Sequence, residues 1–147
     1  MADAPRRAAA VWQGSLAQGS GEVSLVTSGA AGPLPVTWAS RTARSEGKTS
    51  PEELVAAAHA SCYCMALSHI LGEKGTPAGR LEVSATVTFK EIEGGWKVGT
   101  SEITVKGAVP GIDEAAFKEA AAAAKDGCPI SGALKGNVEL SVEATLA

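Results

Sequence analysis

Few residues in this chain are equipped for chemistry, and its three cysteines come first among them. Cys62 and Cys64 stand two positions apart in a long, nearly uncharged stretch; on a helix they would point about 200° apart and serve different purposes. Such a cysteine either packs as a small buried hydrophobe or reacts, and spacing leaves both readings open. Cys128 has a more telling setting. In Gly127-Cys128-Pro129-Ile130-Ser131 the proline marks a first helical turn, so the sulfur falls beside backbone N–H groups that favour a thiolate. The competing reading is a turn cysteine packed under a loop. Cys62 and Cys128 are 66 residues apart, so a bond between them would be tertiary, unlike a local Cys-x-x-Cys redox turn.

A thiol in apolar surroundings loses its thiolate unless a cation compensates, because burial disfavours the charged form. Arg41 and Arg44, just ahead of the uncharged stretch, are the nearest permanent cations in sequence. Glu52 and Glu53 either hold such an arginine or simply stabilise a helix start. His59 precedes Cys62 by three positions, within one helical turn; it either reaches that sulfur or packs in the core. His59, Cys62, Cys64 and His69 would spread around one helix without converging on a tetrahedron, so no metal is expected. There is no phosphate-binding glycine loop, no Gly-x-Ser-x-Gly elbow and no basic-aromatic stripe.

The elements that must position these groups are legible from local pattern. Val11-Trp12 and Glu22 to Thr27 alternate around a turn-rich Gln18-Gly-Ser-Gly21, which predicts a hairpin, with a third strand over Val36 to Ser40. A polar loop, Arg41 to Thr49, precedes Ser50-Pro51-Glu52-Glu53, a capping-box helix start with proline at its first position. The run from Leu54 to Leu71 that follows predicts a buried central helix, stopped by Gly72 and Gly75. Leu81 to Phe89 and Trp96 to Val105 read as a second hairpin around Glu93-Gly94-Gly95. Asp113 caps a helix over Glu114 to Asp126, Pro129 opens a short helix through Leu134, and Val138 to Leu146 alternates as a closing strand. The succession predicts an α+β fold with antiparallel sheets, a buried central helix and a second helix pair.

A chain of 147 residues, 45% hydrophobic and 20% charged, fits one domain over 1–147, with the polar residues 1–7 frayed. A net charge of −3 with interspersed signs argues against nucleic-acid or anionic-membrane partners. No apolar run is read as reaching the ~18–20 residues needed to span a bilayer and no leader is evident, so the expected setting is soluble and cytoplasmic. Only 4% of the residues are aromatic, so a dimer interface is a natural source of extra burial.

Thr49-Ser-Pro-Glu-Glu-Leu-Val-Ala-Ala-Ala-His-Ala-Ser-Cys62, with Met65-Ala-Leu-Ser68 after it, resembles the central-helix signature of the OsmC/Ohr family, the osmotically inducible protein C and organic hydroperoxide resistance proteins. The start Val11-Trp-Gln-Gly14, the segment Val109-Pro-Gly-Ile112 and Ala124-Lys-Asp-Gly-Cys-Pro-Ile-Ser131 extend the resemblance over essentially the whole chain, and the first two lean to the OsmC branch. The resemblance implies a cysteine-based hydroperoxide reductase without metal or cofactor, built as an intertwined homodimer and serving oxidative or osmotic stress defence. It makes Cys62 the peroxidatic cysteine, oxidised to a sulfenic acid, and Cys128 the resolving cysteine that condenses with it to a disulfide. Glu52 matches the carboxylate that holds the catalytic arginine, and that arginine matches Arg41 best, with Arg44 as the alternative in the same loop. An external thiol, such as a dihydrolipoyl group, would restore the dithiol. The competing class is a redox-sensing or apolar-ligand-binding dimer without turnover.

Overall fold

In a computed structural model of the chain, residues 3–147 are described and fall into two compact units that divide after Pro51. Residues 1 and 2 of the expected frayed start lie outside the described residues, whereas Arg7 is tied to Thr27 by a backbone bond of 3.1 Å.

The first unit holds a three-stranded antiparallel sheet, β1 (Ala9–Gln13), β2 (Ser20–Ser24) and β3 (Leu34–Val36). The hairpin expected around Gln18 to Gly21 is present, with Ala9 opposite Ser24 and Gln13 opposite Ser20. The third strand is shorter and earlier than its alternation suggested. Trp38–Thr42 is instead a short helix, α1, so the Val36 to Ser40 strand is corrected. The cause is local: Thr37 and Ser40 form a reciprocal cap, each side chain accepting the other's backbone N–H at 3.0 Å. Ser40 Oγ also donates to the Thr49 carbonyl at 2.9 Å and so closes the following loop. Arg41 consequently sits half-buried in the last turn of a helix, and Arg44 is exposed beyond it.

The second unit takes in α2 (Pro51–Glu73) from Glu52 onward, the helix starting at the predicted proline. Its buried residues Glu52, His59, Tyr63, Leu67 and Leu71 form one stripe at mainly four-residue spacing. That stripe is the face enclosed within a single chain, and Met65 on another face is 66% exposed there. Contrary to the sequence reading, α2 is long and apolar enough to cross a membrane by length and composition. Core helices of soluble proteins pass the same test, and His59 and Tyr63 on the α2 stripe find partners inside this unit, described below.

β4 (Arg80–Ile92) and β5 (Gly95–Ala108) make the expected antiparallel hairpin, interrupted by a bulge at Thr88/Phe89. α3 (Glu114–Gly127), capped by the Asp113 side chain on the Ala116 N–H, and α4 (Pro129–Leu134) lead to β6 (Glu139–Leu146). Here the all-antiparallel expectation fails. β6 runs parallel to β5, Thr100 opposite Glu139 and Gly107 opposite Leu146. Parallel pairing needs a long crossover, and α3 with α4 supplies one. The α+β class stands, with a mixed sheet in the order β4-β5-β6.

Tyr63, Leu67 and Leu71 of α2 meet Ile103 and Val105 of β5 and Phe117, Ala120, Ala121 and Ala124 of α3 in one apolar cluster. Gly107 makes room for that packing: a Cβ there would fall 2.5 Å from the fully buried Phe117 ring. Gly107→Ala is expected to lower stability by about 1–3 kcal/mol in urea unfolding, the usual cost of overpacking a core.

Candidate active site

Cys62 faces the junction between α3 and α4 because it lies three residues beyond His59, adjoining the buried stripe of α2. Cys128 is that junction. Its backbone N–H closes α3 on the Ala124 carbonyl at 2.9 Å, while Cys128 itself is the N-cap of α4 with Pro129 behind it. A chain that ends one helix and begins another within one residue holds that residue's side chain tightly, and Cys128 is 1% exposed. Cys62 is only half-buried. Both thiols are free, and each acts on the ionisation of the other.

The two sulfurs are electrostatically unequal. Burial pushes the Cys62 thiol up; donation to Cys128 and that sulfur's negative charge act the same way, against one backbone N–H from Ile130. Burial would also raise Cys128. It is outweighed by the Ser131 N–H, the Cys62 thiol, the Ser131 hydroxyl and the Ile130 N–H, and Cys128 ends below the ordinary thiol value. Within this unit Cys128 is thus the favoured thiolate and Cys62 the more accessible sulfur. Cys64 is half-buried on a different face of α2, where burial pushes its thiol up, as suits a packing residue.

His59 does not serve Cys62. Its ring is fully buried, with Nδ1 at 2.6 Å from Ser101 Oγ on β5 and Nε2 at 2.8 Å from Ser131 Oγ on α4. Burial lowers its pKa, so it is a neutral imidazole. Tyr63 donates to the Ala121 carbonyl at 2.8 Å and anchors α2 to α3. Glu52, in the first turn of α2, is 6% exposed, and a carboxylate that deep requires hydrogen bonds or a cation.

The family model described as OsmC-like protein matches residues 44–143. The chain belongs to the OsmC family. Among its relatives, the peroxiredoxin OsmC of Escherichia coli K12 is 36% identical over 138 residues, 94% of this chain and 95% of that protein. The organic hydroperoxide resistance protein OhrB of Bacillus subtilis 168 is 33% identical over 104 residues, 69% of this chain and 74% of that one. The more extensive match to OsmC agrees with the branch suggested by the early tryptophan and the Val-Pro-Gly-Ile segment. The crystal structure of Bacillus subtilis OhrB superimposes with a TM-score of 0.75 at 27% identity, covering 95% of this chain and 98% of that one. An OsmC-like protein from Mycoplasma pneumoniae shares the fold at a TM-score of 0.74 and 16% identity.

In this OsmC-family chain, Ser101 and Ser131 are the site residues that sequence reasoning missed. Ser131 stands in the quoted Cys-Pro-Ile-Ser segment without a role of its own. Ser101 carried a readable signal: it takes an inward position of β5, in phase with Ile103 and Val105, where a polar side chain needs a buried partner.

Proposed function

We propose that this protein is a thiol-dependent peroxidase that reduces organic hydroperoxides and hydrogen peroxide through Cys62 and Cys128. The carrying observation is that Cys62 of α2 packs against the apolar cluster that contains Cys128 at the α3–α4 junction, each sulfur acting on the ionisation of the other. The names borne by the relatives, peroxiredoxin OsmC and organic hydroperoxide resistance protein OhrB, support a peroxidase-type role.

Accessibility assigns the roles. Although Cys128 is the better thiolate, it is sealed off, so peroxide meets Cys62 first. The Cys62 thiolate attacks one peroxide oxygen; an S–O bond forms, the O–O bond breaks, and the departing alkoxide takes a proton to leave as an alcohol. Cys62 is then a sulfenic acid. The Cys128 thiolate attacks that sulfur, the S–O bond breaks, and hydroxide leaves as water with a second proton. An external dithiol, such as a dihydrolipoyl group, restores both thiols by exchange. Because Cys62 lies above its ordinary value within its own unit, the reaction needs a cation. In this reading Arg41 supplies it and stabilises the charge developing on the peroxide oxygens, while Glu52 holds Arg41 in place. The half-buried helical setting of Arg41, against the exposed Arg44, favours Arg41 for that role. The reading needs no resident cofactor or metal.

The protein is further proposed to act as a cytoplasmic homodimer in stress defence. The uncovered face of α2, with Met65 exposed, supports an apolar contact with a second copy.

The test is the number of cumene hydroperoxide and hydrogen peroxide molecules consumed per subunit with dihydrolipoamide in excess. Many equivalents are expected. Consumption that stops near one equivalent would overturn turnover and leave a redox sensor; no consumption of either peroxide would leave an apolar-ligand binder.

A further inference from the structure

α4 is six residues long, well short of the ~12–15 at which an isolated helix begins to hold in water, and Gly132 in its interior weakens it further. Its N-cap, Cys128, makes no side-chain cap hydrogen bond. The place of α4 must therefore come from what it packs against. Among its described residues the one that is buried is polar, Ser131, and Ile130 adds a partly buried apolar contact. Ser131 Oγ lies 2.8 Å from His59 Nε2 on α2, and the other ring nitrogen, Nδ1, lies 2.6 Å from Ser101 Oγ on β5. All three side chains are sealed from water, where a polar group left unpaired is costly. Either tautomer of the imidazole completes the set, because a hydroxyl can donate or accept.

We propose that His59 is a positioning residue: by tying Ser131 to α2 it docks the first turn of α4 and so holds Cys128 in register with Cys62. The register follows from two equal spacings. Counted away from the His59–Ser131 bond, three residues forward along α2 reach Cys62, and three residues back along the chain reach Cys128, one helical turn in each case. The bond therefore brings the turn that carries one cysteine beside the turn that carries the other, and Cys62 packs against the cluster that contains Cys128. The turn between Cys128 and Ser131 is itself closed, the Gly132 N–H donating to the Cys128 carbonyl at 3.0 Å. A serine held at that point thus holds the N-cap as well. Ser101 fixes the far end of the ring against β5, so the imidazole is anchored at both nitrogens. His59 acts through Ser131 and the backbone of α4. For its purpose the proposal rests on the reading of Cys62 and Cys128 as a disulfide-forming pair; for its geometry it rests on the two hydrogen bonds of the ring.

The experiment separates the two ends of the ring and needs no peroxide. A glutamine amide reaches the position of Nε2 and keeps the bond to Ser131, whereas an asparagine amide reaches the position of Nδ1 and keeps only Ser101. In a Cys64→Ser background, which leaves Cys62 and Cys128 as the thiols of the chain, the protein is equilibrated in lipoate and dihydrolipoate mixtures. The Cys62–Cys128 disulfide is then counted by alkylation and intact mass. His59→Asn and Ser131→Ala are each expected to move this equilibrium about tenfold towards the dithiol, as loss of one buried hydrogen bond should. His59→Gln and Ser131→Thr are expected to stay near the unsubstituted protein. Amide exchange at Gly132 and Lys135, whose N–H groups bond to the Cys128 and Ser131 carbonyls, should quicken about tenfold in the first two variants and not in the second two. Equal shifts for His59→Asn and His59→Gln, matched by equal losses in urea stability, would show a histidine that merely fills the core and would overturn the proposal. Should the His59 variants fail to fold, the Ser131 pair decides alone: exchange at Gly132 and Lys135 unmoved by Ser131→Ala overturns it. Exchange reads the docking of α4 even if no disulfide forms, so failure of the disulfide cycle and failure of this proposal are separate outcomes.

Discussion

Cys62→Ser is expected to reduce peroxide consumption to that of the uncatalysed reaction, because serine offers a hydroxyl of far higher pKa where the thiolate was the nucleophile. Cys128→Ser is expected to behave differently. Its Cys62 still takes one oxygen atom, but no sulfur is in reach to displace hydroxide from the sulfenic acid, so the oxidised state persists or is driven up the oxidation ladder by further peroxide. Intact mass after one equivalent of peroxide separates the cases: no gain for Cys62→Ser, one oxygen for Cys128→Ser, and the loss of two hydrogens for the unsubstituted protein. Undiminished turnover in Cys62→Ser would exclude the proposed chemistry. A first oxidation mapped to Cys128 would reverse the assigned roles, in keeping with its lower pKa.

Removing the positive charge of Arg41 is the second large effect. The unit that contains Cys62 raises its thiol, through burial first and the neighbouring Cys128 after it. Only the thiolate attacks peroxide, and an ordinary thiol is no more than about a few per cent ionised at pH 7, so a raised one is less reactive still. Arg41→Met is therefore expected to slow the oxidation of Cys62 about a hundredfold at pH 7, as about two pKa units would. The sign of the pH dependence follows. Below its pKa a thiol gains about tenfold in thiolate with each pH unit, so the variant should recover steadily on raising the pH, while the unsubstituted protein levels off earlier. Stopped-flow oxidation against pH checks both statements. Arg44→Met should leave the profile unchanged, and the opposite ranking of the two variants would transfer the role to Arg44.

These expectations began as sequence, and the parts that held are those governed by neighbouring residues. Ser50-Pro51 announces the start of α2 because proline suits a position whose N–H has no helical partner. Asp113 caps α3, Pro129 opens α4, and a Gly-rich turn folds β4 onto β5, all through contacts within a few residues. Where a short-range rule was overlooked, the reading failed: Trp38 and its neighbours looked like an alternating strand, but the Thr37–Ser40 cap makes them helical.

What only the tertiary structure decided is orientation and burial. The alternation of β6 has the same period whichever way the strand runs, and its parallel course beside β5 comes from the α3–α4 crossover. The apolar composition of α2 could not tell one buried stripe from several, since that depends on what packs against it. Spacing alone also left Cys62 and Cys128 as separate candidates, joined only by resemblance to a family. Their influence on one another's ionisation exists because Cys62 of α2 packs against the cluster that holds Cys128. His59, Ser101 and Ser131 are separated by at least 30 residues in the chain and meet only in the core, where the cost of an unpaired buried group fixes each partner.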